Sequence, residues 1–458
     1  MNYLSTRGGD ERLTFSEVVL AGLARDGGLY LPEYYPQCSE FFPQWQNLNY
    51  PQLALAVMQL YVGDTISKDQ LKILIDKSYA SFDSKEVVPA TAFAGGEILE
   101  LYHGPTFAFK DIALQFLGNL FEFLLLESGQ QLNIVGATSG DTGSAAIYGV
   151  RGKKAINIFM LHPKGKVSPV QEMQMTTVLD ENVFNLSLDG TFDDCQNIVK
   201  LLFGDLDYRD SHQLGAVNSI NWARILAQTV YYFYAGLRFK QKNPQKPLVF
   251  AVPTGNFGDV FAGYVAKQMG LPIEKLVIGT NENDIIARVI NSGSYQLSDV
   301  VETHSPAMDI QISSNFERVL SDVCDRNAAC VNTYMDALKQ QGEFKLSGDI
   351  VDKLQSLFVA YKVTNEETVA TMARLNQQQL LVDPHTAVGI CAAEKSEFEK
   401  VICLSTAHPA KFPEVVKQAT GREPTAPEAI LQLENLPRKS HDLANDLNAV
   451  AEYITQHI

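Results

Sequence analysis

Residues 101–127 have the sequence LYHGPTFAFKDIALQFLGNLFEFLLLE. An aromatic segment that Gly104 and Pro105 are expected to bend is followed by a long apolar run. One lysine, Lys110, lies at the junction. Phe107, Ala108 and Phe109 offer it little water. Desolvation disfavours an ammonium, so the pKa of Lys110 is expected to fall toward that of a free amine, which can attack a carbonyl as a Schiff-base lysine does. The stretch predicts a chemically active lysine at the entrance of a buried helix.

The residues after Lys110 are typical of a buried helix. Asp111 is expected to cap its first turn. The apolar residues that follow are Ile112, Leu114, Phe116, Leu117, Leu120, Phe121 and Leu124. The alternative for Lys110 is a solvated surface residue, the commoner fate of a lysine at a helix start, so support must come from elsewhere in the chain.

Length and composition limit the function classes. A chain of 458 residues is long for one core, so two or three lobes are expected. Apolar residues make up 46% and charged residues 20%, as in ordinary globular proteins. A formal net charge of −16 argues against a nucleic-acid or anionic-membrane surface, which needs clustered Lys and Arg. An anionic substrate would need a local basic pocket.

The cysteines and the apolar runs predict a cytoplasmic enzyme. The six cysteines form no C-x-x-C pair and are expected to be reduced thiols, most of them buried. The first residues, MNYLSTRGGDERL, show no basic-then-apolar signal pattern. The most apolar run, residues 116–126, is interrupted by Asn119 and Glu122, so no membrane partner is expected.

The chain is expected to have an α/β fold with a small, mainly helical amino-terminal region. Thr14 and Glu17 form a capping box before an apolar helix, and residues 1–80 are predicted to be this helical region. Residues 292–376 are also interpreted as polar and helical. The predicted α/β lobes are residues 81–245 and 246–458.

Short apolar runs, each followed by a Gly-rich turn and a helix, recur from residue 133 onward. The runs predicted to be strands are 134–137, 156–161, 248–252, 275–279 and 401–404. Such alternation predicts parallel sheets with crossover helices, whose ligands bind at the carboxyl ends of the strands.

Two turns at these strand ends could bind anions. Residues 254–259, TGNFGD, offer glycines that let the backbone approach a phosphate and a helix start with unpaired N–H groups. Residues 138–143, TSGDTG, have the same character. Both patterns are weak, and an ordinary strand-to-helix turn remains the alternative for each.

Residues 218–224, NSINWAR, form a polar run that leads into an apolar helix. Arg224 could bind a phosphate or carboxylate through two parallel hydrogen bonds. Spacing alone favours the alternative of a helix cap followed by a surface arginine. The eight histidines show no metal-ligand spacing, so no metal site is predicted. His103, His385 and His408 are interpreted as structural.

Together these segments resemble the threonine synthase family of pyridoxal-phosphate enzymes, which have the tryptophan-synthase-β-like fold (fold type II). The resemblance covers nearly the whole chain. The matching motifs, in order, are TRGG, GLARDGGLYLPE, HGPTFAFKD, GATSGDTGSAA, NSINWARI, PTGNFGD, DPHTAVG and STAHPAKF. Several long matches in the right order are far more specific than any one of them.

The resemblance implies a role for each motif. Lys110 resembles the lysine that binds pyridoxal phosphate covalently, and Thr406 resembles the hydroxyl partner of its pyridine nitrogen. The residues that resemble the cofactor-phosphate loop are Gly255, Asn256, Phe257 and Gly258. Those that resemble the substrate-carboxylate or phosphate loop are Thr138, Ser139, Asp141 and Thr142. Those that resemble the substrate-phosphate site are Asn218, Ser219 and Arg224, to which Lys164 or Lys166 could add charge.

Asp141 departs from a pattern common in this fold, where an asparagine lies near the 3′ oxygen of the cofactor. An aspartate there would repel an ionised oxygen. The SGDTG form occurs in one branch of threonine synthases, which this chain also resembles in length and amino-terminal extension.

The implied reaction converts O-phospho-L-homoserine and water to L-threonine and phosphate, the last step of threonine biosynthesis. The protein is expected to be a monomer or a homodimer. One alternative is a phospholyase or a serine/threonine dehydratase of the same fold, which would retain Lys110 and the phosphate loop. The other is a non-catalytic binding or regulatory homologue.

Overall fold

Two parallel sheets form the centre of the molecule. The computed structural model describes all 458 residues. Fifteen strands are present, and their bounds are β1 Tyr3–Ser5, β2 Tyr30–Pro32, β3 Ala90–Phe93, β4 Gly96–Glu100, β5 Leu132–Ala137, β6 Ile156–Pro163, β7 Val183–Leu188, β8 Leu214–Gly215, β9 Leu248–Pro253, β10 Ile273–Thr280, β11 Ser294–Gln296, β12 Glu343–Lys345, β13 Phe358–Lys362, β14 Val401–Ser405 and β15 His441–Leu443.

Helices cover and connect the sheets. Twenty α-helices are present, and their bounds are α1 Phe15–Ala21, α2 Phe42–Trp45, α3 Tyr50–Val62, α4 Lys68–Tyr79, α5 Lys110–Ser128, α6 Asp141–Val150, α7 Pro169–Thr176, α8 Phe192–Gly204, α9 Leu206–Ser211, α10 Trp222–Lys242, α11 Gly258–Gln268, α12 Ile285–Ser292, α13 Phe316–Val323, α14 Ala328–Gln341, α15 Gly348–Leu357, α16 Asn365–Gln377, α17 Pro384–Lys395, α18 Pro413–Thr420, α19 Glu428–Leu433 and α20 Leu447–Gln456. Three short 3₁₀ segments are Ser39–Phe41, Pro306–Met308 and Pro409–Lys411.

The larger sheet has the strand order β13-β10-β9-β14-β4-β3, and the smaller has the order β15-β7-β6-β5-β8. Every pairing in them is parallel except that of β3 with β4. The predicted fold class, parallel sheets with crossover helices, is confirmed. Because parallel strands of one sheet all end at the same edge, the turns after β9 and β14 lie together at one edge of the larger sheet, whereas the turn after β5 ends a strand of the smaller sheet.

Both sheets contain strands from distant parts of the chain. β4 lies within the predicted lobe 81–245 but pairs with β14, and β15 lies within the predicted lobe 246–458 but pairs with β7. The division into residues 1–80, 81–245 and 246–458 stays a prediction. Each of the two sheets contains strands from both sides of the boundary at residue 246.

The amino-terminal region is mainly helical, as predicted. Thr14 and Glu17 form the predicted capping box at the start of α1. The side chains of α3 and α4 belong to the same continuous apolar core as those of α5, α10 and α11. This region therefore packs on the lobes and has no core of its own.

Helices α5 and α6 approach each other through glycines. A Cβ atom added to Gly118 would lie 2.0 Å from the carbonyl oxygen of Gly149. A Cβ atom on Gly149 would lie 2.5 Å from the carbonyl oxygen of Leu114. Only glycine fits at either position, so the two backbones touch.

Two expectations are corrected by the structure. Residues 292–376 hold β11, β12 and β13 besides helices. The sulfur atoms of Cys324 and Cys330 form a disulfide, whereas the other four cysteines are free, buried thiols. The two paired residues have Cα atoms 6.2 Å apart, within the range of a disulfide. No helix is long and apolar enough to span a membrane.

Candidate active site

Lys110 is the first residue of α5 and is buried. The turn before it contains Phe107 in the left-handed region, with φ +58°, a strained conformation for a bulky residue. Asp111 accepts hydrogen bonds from the backbone N–H (2.8 Å) and the hydroxyl (2.7 Å) of Thr106. The predicted cap by Asp111 is therefore wrong: its carboxylate fixes the approach turn.

Thr406 lies beside the turn that precedes Lys110, because the residues just after β14 pair with that turn. Ala108 and Ala407 form an antiparallel bridge, and the N–H of Phe109 donates to the carbonyl of Thr406 at 2.8 Å. The Thr406 side chain is buried. The structure thus brings together two of the predicted cofactor residues, which are far apart in sequence.

Asp141, the first residue of α6, lies between two lysines. Its Oδ1 is 2.7 Å from Nζ of Lys411 and accepts a 2.8 Å hydrogen bond from Nε2 of Gln171, while its Oδ2 is 4.0 Å from Nζ of Lys110. Burial alone would raise the pKa of Asp141, but the charges of Lys411 and Lys110 outweigh it and hold that pKa well below its usual range.

The pKa of Lys110 is lowered, in the direction predicted from the sequence. Burial is the main cause, and the positive charges of Lys411 and Arg224 act in the same sense. The carboxylates of Asp141 and Asp111 oppose the shift. The net shift makes the free amine, the form that reacts with a carbonyl, easier to form than in an exposed lysine.

The turn between β9 and α11 leaves its amides free. Phe257 adopts a left-handed φ of +62°, and the first N–H of the helix to reach a backbone carbonyl is that of Phe261, which donates to Phe257. The N–H groups of residues 256–260 have no protein acceptor. Ser313 and Asn315 fix the turn from behind by donating to the carbonyls of Gly255 and Asn256. An anion fits this arrangement.

The turn between β5 and α6 is ordered from within. The hydroxyl oxygen of Thr138 accepts from the N–H groups of Gly140 and Gly143 at 3.0 and 2.9 Å. Ser139 is exposed and Thr142 is half-buried. Thr138 therefore shapes the loop, and Ser139 and Thr142 remain open to a ligand.

Arg224 is buried in the first turn of α10, and its Nε and Nη1 atoms have no hydrogen-bond partner. Burial lowers its pKa to about 10. Asn218 is exposed and Ser219 is half-buried in the loop before the helix. The surface-arginine alternative is wrong. Buried guanidinium donors are normally paired, so Nε and Nη1 of Arg224 are candidates for binding an anion.

Lys164 and Lys166 are exposed and use their ammonium groups elsewhere. Nζ of Lys164 is 2.6 Å from a carboxylate oxygen of Asp442, and Lys166 donates to the carbonyl of Gly190 at 2.9 Å. Neither lysine makes a hydrogen bond to the buried residues of the site.

The histidines near the site have structural partners. His103 bonds Asp83 and Glu100, His385 bonds Asp383, and Nδ1 of His408 accepts from the N–H of Ala410. No group of three or more His, Cys, Asp or Glu side chains is arranged to bind a metal ion.

Two charged residues of the site were missed by the sequence reasoning. Lys411 is fully buried and follows Thr406 in the STAHPAKF motif. Asp259 ends the TGNFGD turn, accepts hydrogen bonds from the hydroxyls of Tyr231 and Tyr232, and leaves its Oδ2 without a partner. Burial raises the pKa of Asp259 to about 6. Lys411 lies in the STAHPAKF motif and Asp259 in the PTGNFGD motif. Their place in these motifs was the only sequence feature that could have indicated a role in the site.

Comparisons with known proteins show the family of the chain. Three family models match the chain: Threonine synthase N terminus at residues 2–79, Pyridoxal-phosphate dependent enzyme at residues 99–405, and Threonine synthase, C-terminal at residues 386–454. The chain belongs to the threonine synthase family. The threonine synthase of Saccharomyces cerevisiae is 47% identical, over 95% of this chain and 94% of its own. That of Pseudomonas aeruginosa is 44% identical, over 100% of this chain and 98% of its own.

Solved structures of threonine synthases have the same fold. The pyridoxal-phosphate-bound enzyme from Brucella melitensis superimposes with a TM-score of 0.96 at 47% identity, covering 100% of this chain and 99% of that one. The Escherichia coli enzyme superimposes with a TM-score of 0.84 at 30% identity and 100% coverage of both chains. The family uses pyridoxal phosphate as its cofactor.

The residues present fit that cofactor. Its phosphate matches the turn at residues 255–258, whose amides lack acceptors. Its aldehyde requires a lysine with a lowered pKa, and Lys110 is such a lysine. A ring-nitrogen partner is available in the hydroxyl of Thr406, which has no protein partner.

Proposed function

We propose that this chain converts O-phospho-L-homoserine and water to L-threonine and phosphate, as a carbon–oxygen lyase that uses pyridoxal phosphate. The observation that carries the proposal is the presence, in one buried site, of a lysine whose pKa is lowered and an arginine whose Nε and Nη1 atoms make no hydrogen bond to the protein. Lys110 accounts for the chemistry common to the cofactor's enzymes. Arg224 accounts for a second anion besides the cofactor phosphate.

Three elements of the chain would hold the cofactor. Lys110 would bind it covalently, the amides of Gly255, Asn256, Phe257 and Gly258 would hold its phosphate, and Thr406 would meet its ring nitrogen. The chemistry supplied by bound pyridoxal phosphate is electron withdrawal from the α carbon of an amino-acid substrate.

The substrate has a carboxylate at one end and a phosphate at the other. Arg224, with Asn218 and Ser219 in the preceding loop, would bind the phosphate through charge-assisted hydrogen bonds. Thr138, Ser139, Asp141 and Thr142 belong to the loop that would hold the carboxylate end. A buried arginine in a protein of net charge −16 gives the site the local positive charge that the anionic substrate requires.

Lys110 would also move the protons of the reaction. Its Nζ would take the α proton and return protons along the side chain as phosphate leaves and water adds at Cβ. A lowered pKa suits both roles, because the group must accept and donate near neutral pH.

The test is product analysis with O-phospho-L-homoserine. The purified protein should yield threonine and phosphate in equal amounts, and Lys110→Ala should reduce the rate about a thousandfold or more. Lys400→Ala, which removes an exposed lysine, serves as the matched control and should retain full activity.

Other products would decide between the alternatives. Phosphate formed together with 2-oxobutyrate would assign the chain to the phospholyases. No turnover by cofactor-loaded protein would support a non-catalytic homologue and refute the proposal.

We also propose that the protein works in the cytoplasm as a monomer or a homodimer. The four buried, free thiols support a reducing compartment, in which the Cys324–Cys330 disulfide would be reduced. Sedimentation of the purified protein and cell fractionation test these two statements.

A further inference from the structure

Lys411 has no assigned role, although it is among the most deeply buried charges of the molecule. It ends the short 3₁₀ segment Pro409–Lys411 and is 0% exposed. Its Nζ makes two short contacts, at 2.7 Å to Oδ1 of Asp141 and at 2.7 Å to the carbonyl oxygen of Thr106. It thus connects the loop that begins α6 to the turn that leads into Lys110.

The carboxylate of Asp141 is divided unequally between its two lysines. Lys411 and Gln171 both bond its Oδ1. The remaining oxygen, Oδ2, is 4.0 Å from Nζ of Lys110, beyond hydrogen-bond range. The negative charge is therefore committed to Lys411, and Lys110 has no hydrogen-bonded counter-ion.

The other charges around Lys110 do not replace this counter-ion. Asp111 is bonded to Thr106, and Asp259 is bonded to two tyrosine hydroxyls. Arg224 adds a positive charge. On the far side of Asp141, His385 is bonded to Asp383. Of the two lysines beside Asp141, Lys110 therefore has the weaker interaction with its carboxylate.

We propose that Lys411 is a positioning residue that holds the charge of Asp141 away from Lys110 and so keeps Lys110 as the neutral amine. This inference rests on the proposed function, in which Lys110 binds the cofactor. It explains how an aspartate is accommodated at position 141. The negative charge of Asp141 is neutralised by Lys411, which lies in the STAHPAKF motif.

The pH dependence of Lys110 should change in opposite directions when either partner is removed. Without Lys411, Asp141 would pair with Lys110 and stabilise its ammonium form. Without Asp141, the uncompensated charge of Lys411 would destabilise that ammonium. Removing both should largely cancel, as expected for directly coupled residues.

The test uses the full chain freed of cofactor, with pyridoxal phosphate as the probe. The Lys110 amine and the cofactor aldehyde join with loss of one water, and the change in cofactor absorbance gives the rate of capture across a pH series. The variants are Lys411→Met, Asp141→Asn and the double variant, with Lys400→Met as the matched control.

The midpoint of the rate profile should move to higher pH in Lys411→Met. Capture at neutral pH should then slow about tenfold for every pH unit by which the midpoint rises, because the fraction of free amine falls by that factor. The midpoint should move to lower pH in Asp141→Asn and return close to the wild-type value in the double variant. Lys400→Met should match wild type.

A purely structural role for Lys411 gives a different result. Capture by Lys411→Met would then be slower by the same factor at every pH, and the unmoved midpoint would overturn the proposal. If Lys411→Met does not fold, the midpoint of Asp141→Asn must still lie below that of the double variant, and equal midpoints would overturn it.

The assay contains no amino-acid substrate, so its result is independent of the product test. Threonine formation with unmoved midpoints would reject only the role of Lys411. Shifted midpoints without threonine formation would reject only the reaction. Capture that persists in Lys110→Ala would overturn both.

Discussion

Replacement of Arg224 by methionine should separate stability from activity. The guanidinium is buried, and its Nε and Nη1 donors make no hydrogen bond to the protein. Relief of such groups is worth about 1–3 kcal/mol each, so Arg224→Met should leave the free energy of unfolding unchanged or raise it.

Arg224→Met should also remove the hydrogen bonds between the protein and the substrate phosphate. Two hydrogen bonds from a charged donor contribute about 3–6 kcal/mol, at about 1.5–3 kcal/mol each. At a factor of ten for each 1.4 kcal/mol, kcat/KM for O-phospho-L-homoserine should fall by about 10² to 10⁴.

Arg238 offers the matched control on the same helix. Its guanidinium lies 3.5 Å from the ring centre of Tyr234 and donates to the carbonyls of Leu48 and Tyr234. Arg238→Met should therefore lower stability and leave kcat/KM unchanged, the opposite of Arg224→Met. Denaturant unfolding and steady-state assays, both in phosphate-free buffer, measure the two quantities. A large loss of stability in Arg224→Met with little change in kcat/KM would refute the assignment of Arg224 as an anion site.

Two further predictions concern stability. Burial raises the pKa of Asp259 from 3.8 to about 6, so the folded state favours its protonated form, and the resulting stability is lost as pH rises from about 4 to about 6. Urea unfolding of Asp259→Asn relative to wild type should show a difference that grows by about 3 kcal/mol across this window, and a constant difference would contradict it. Gly118→Ala should cost about 1–3 kcal/mol because its Cβ meets the carbonyl of Gly149, whereas Gly348→Ala, with no atom within 4 Å, should cost almost nothing. Equal losses in the two alanine variants, measured by denaturant unfolding, would show that the helices adjust freely.

Sequence reasoning succeeded where the decisive signal was local. The apolar run after Lys110, the capping box at Thr14 and the strand-to-helix turns all depend on residues within a few positions of one another. It failed where the partner was distant or the local signal ambiguous. Asp111 has the right chemistry for a helix cap, but Thr106 competes successfully for its carboxylate.

The site charges show the same limit. Lys411 occurs in the STAHPAKF motif, yet no neighbouring residue in the sequence indicates that it forms an ion pair with Asp141. The order of the strands, in which β4 lies beside β14, depends on pairings between distant segments that no local pattern records. Asp259 was quoted as part of a turn, and its burial against Tyr231 follows only from the packing of α10 on α11.

The pairing of early and late segments has a consequence for how the protein is made. The ammonium of Lys411 meets the carbonyl of Thr106 across 305 residues of chain. At a synthesis rate of about 5–20 residues per second, the segment around Lys110 waits roughly 15–60 s for its partner. During that time β4 has no β14 beside it. A nascent chain therefore cannot complete the cofactor site until residues 401–411 have been translated, and any cofactor bound before then would be held without Thr406.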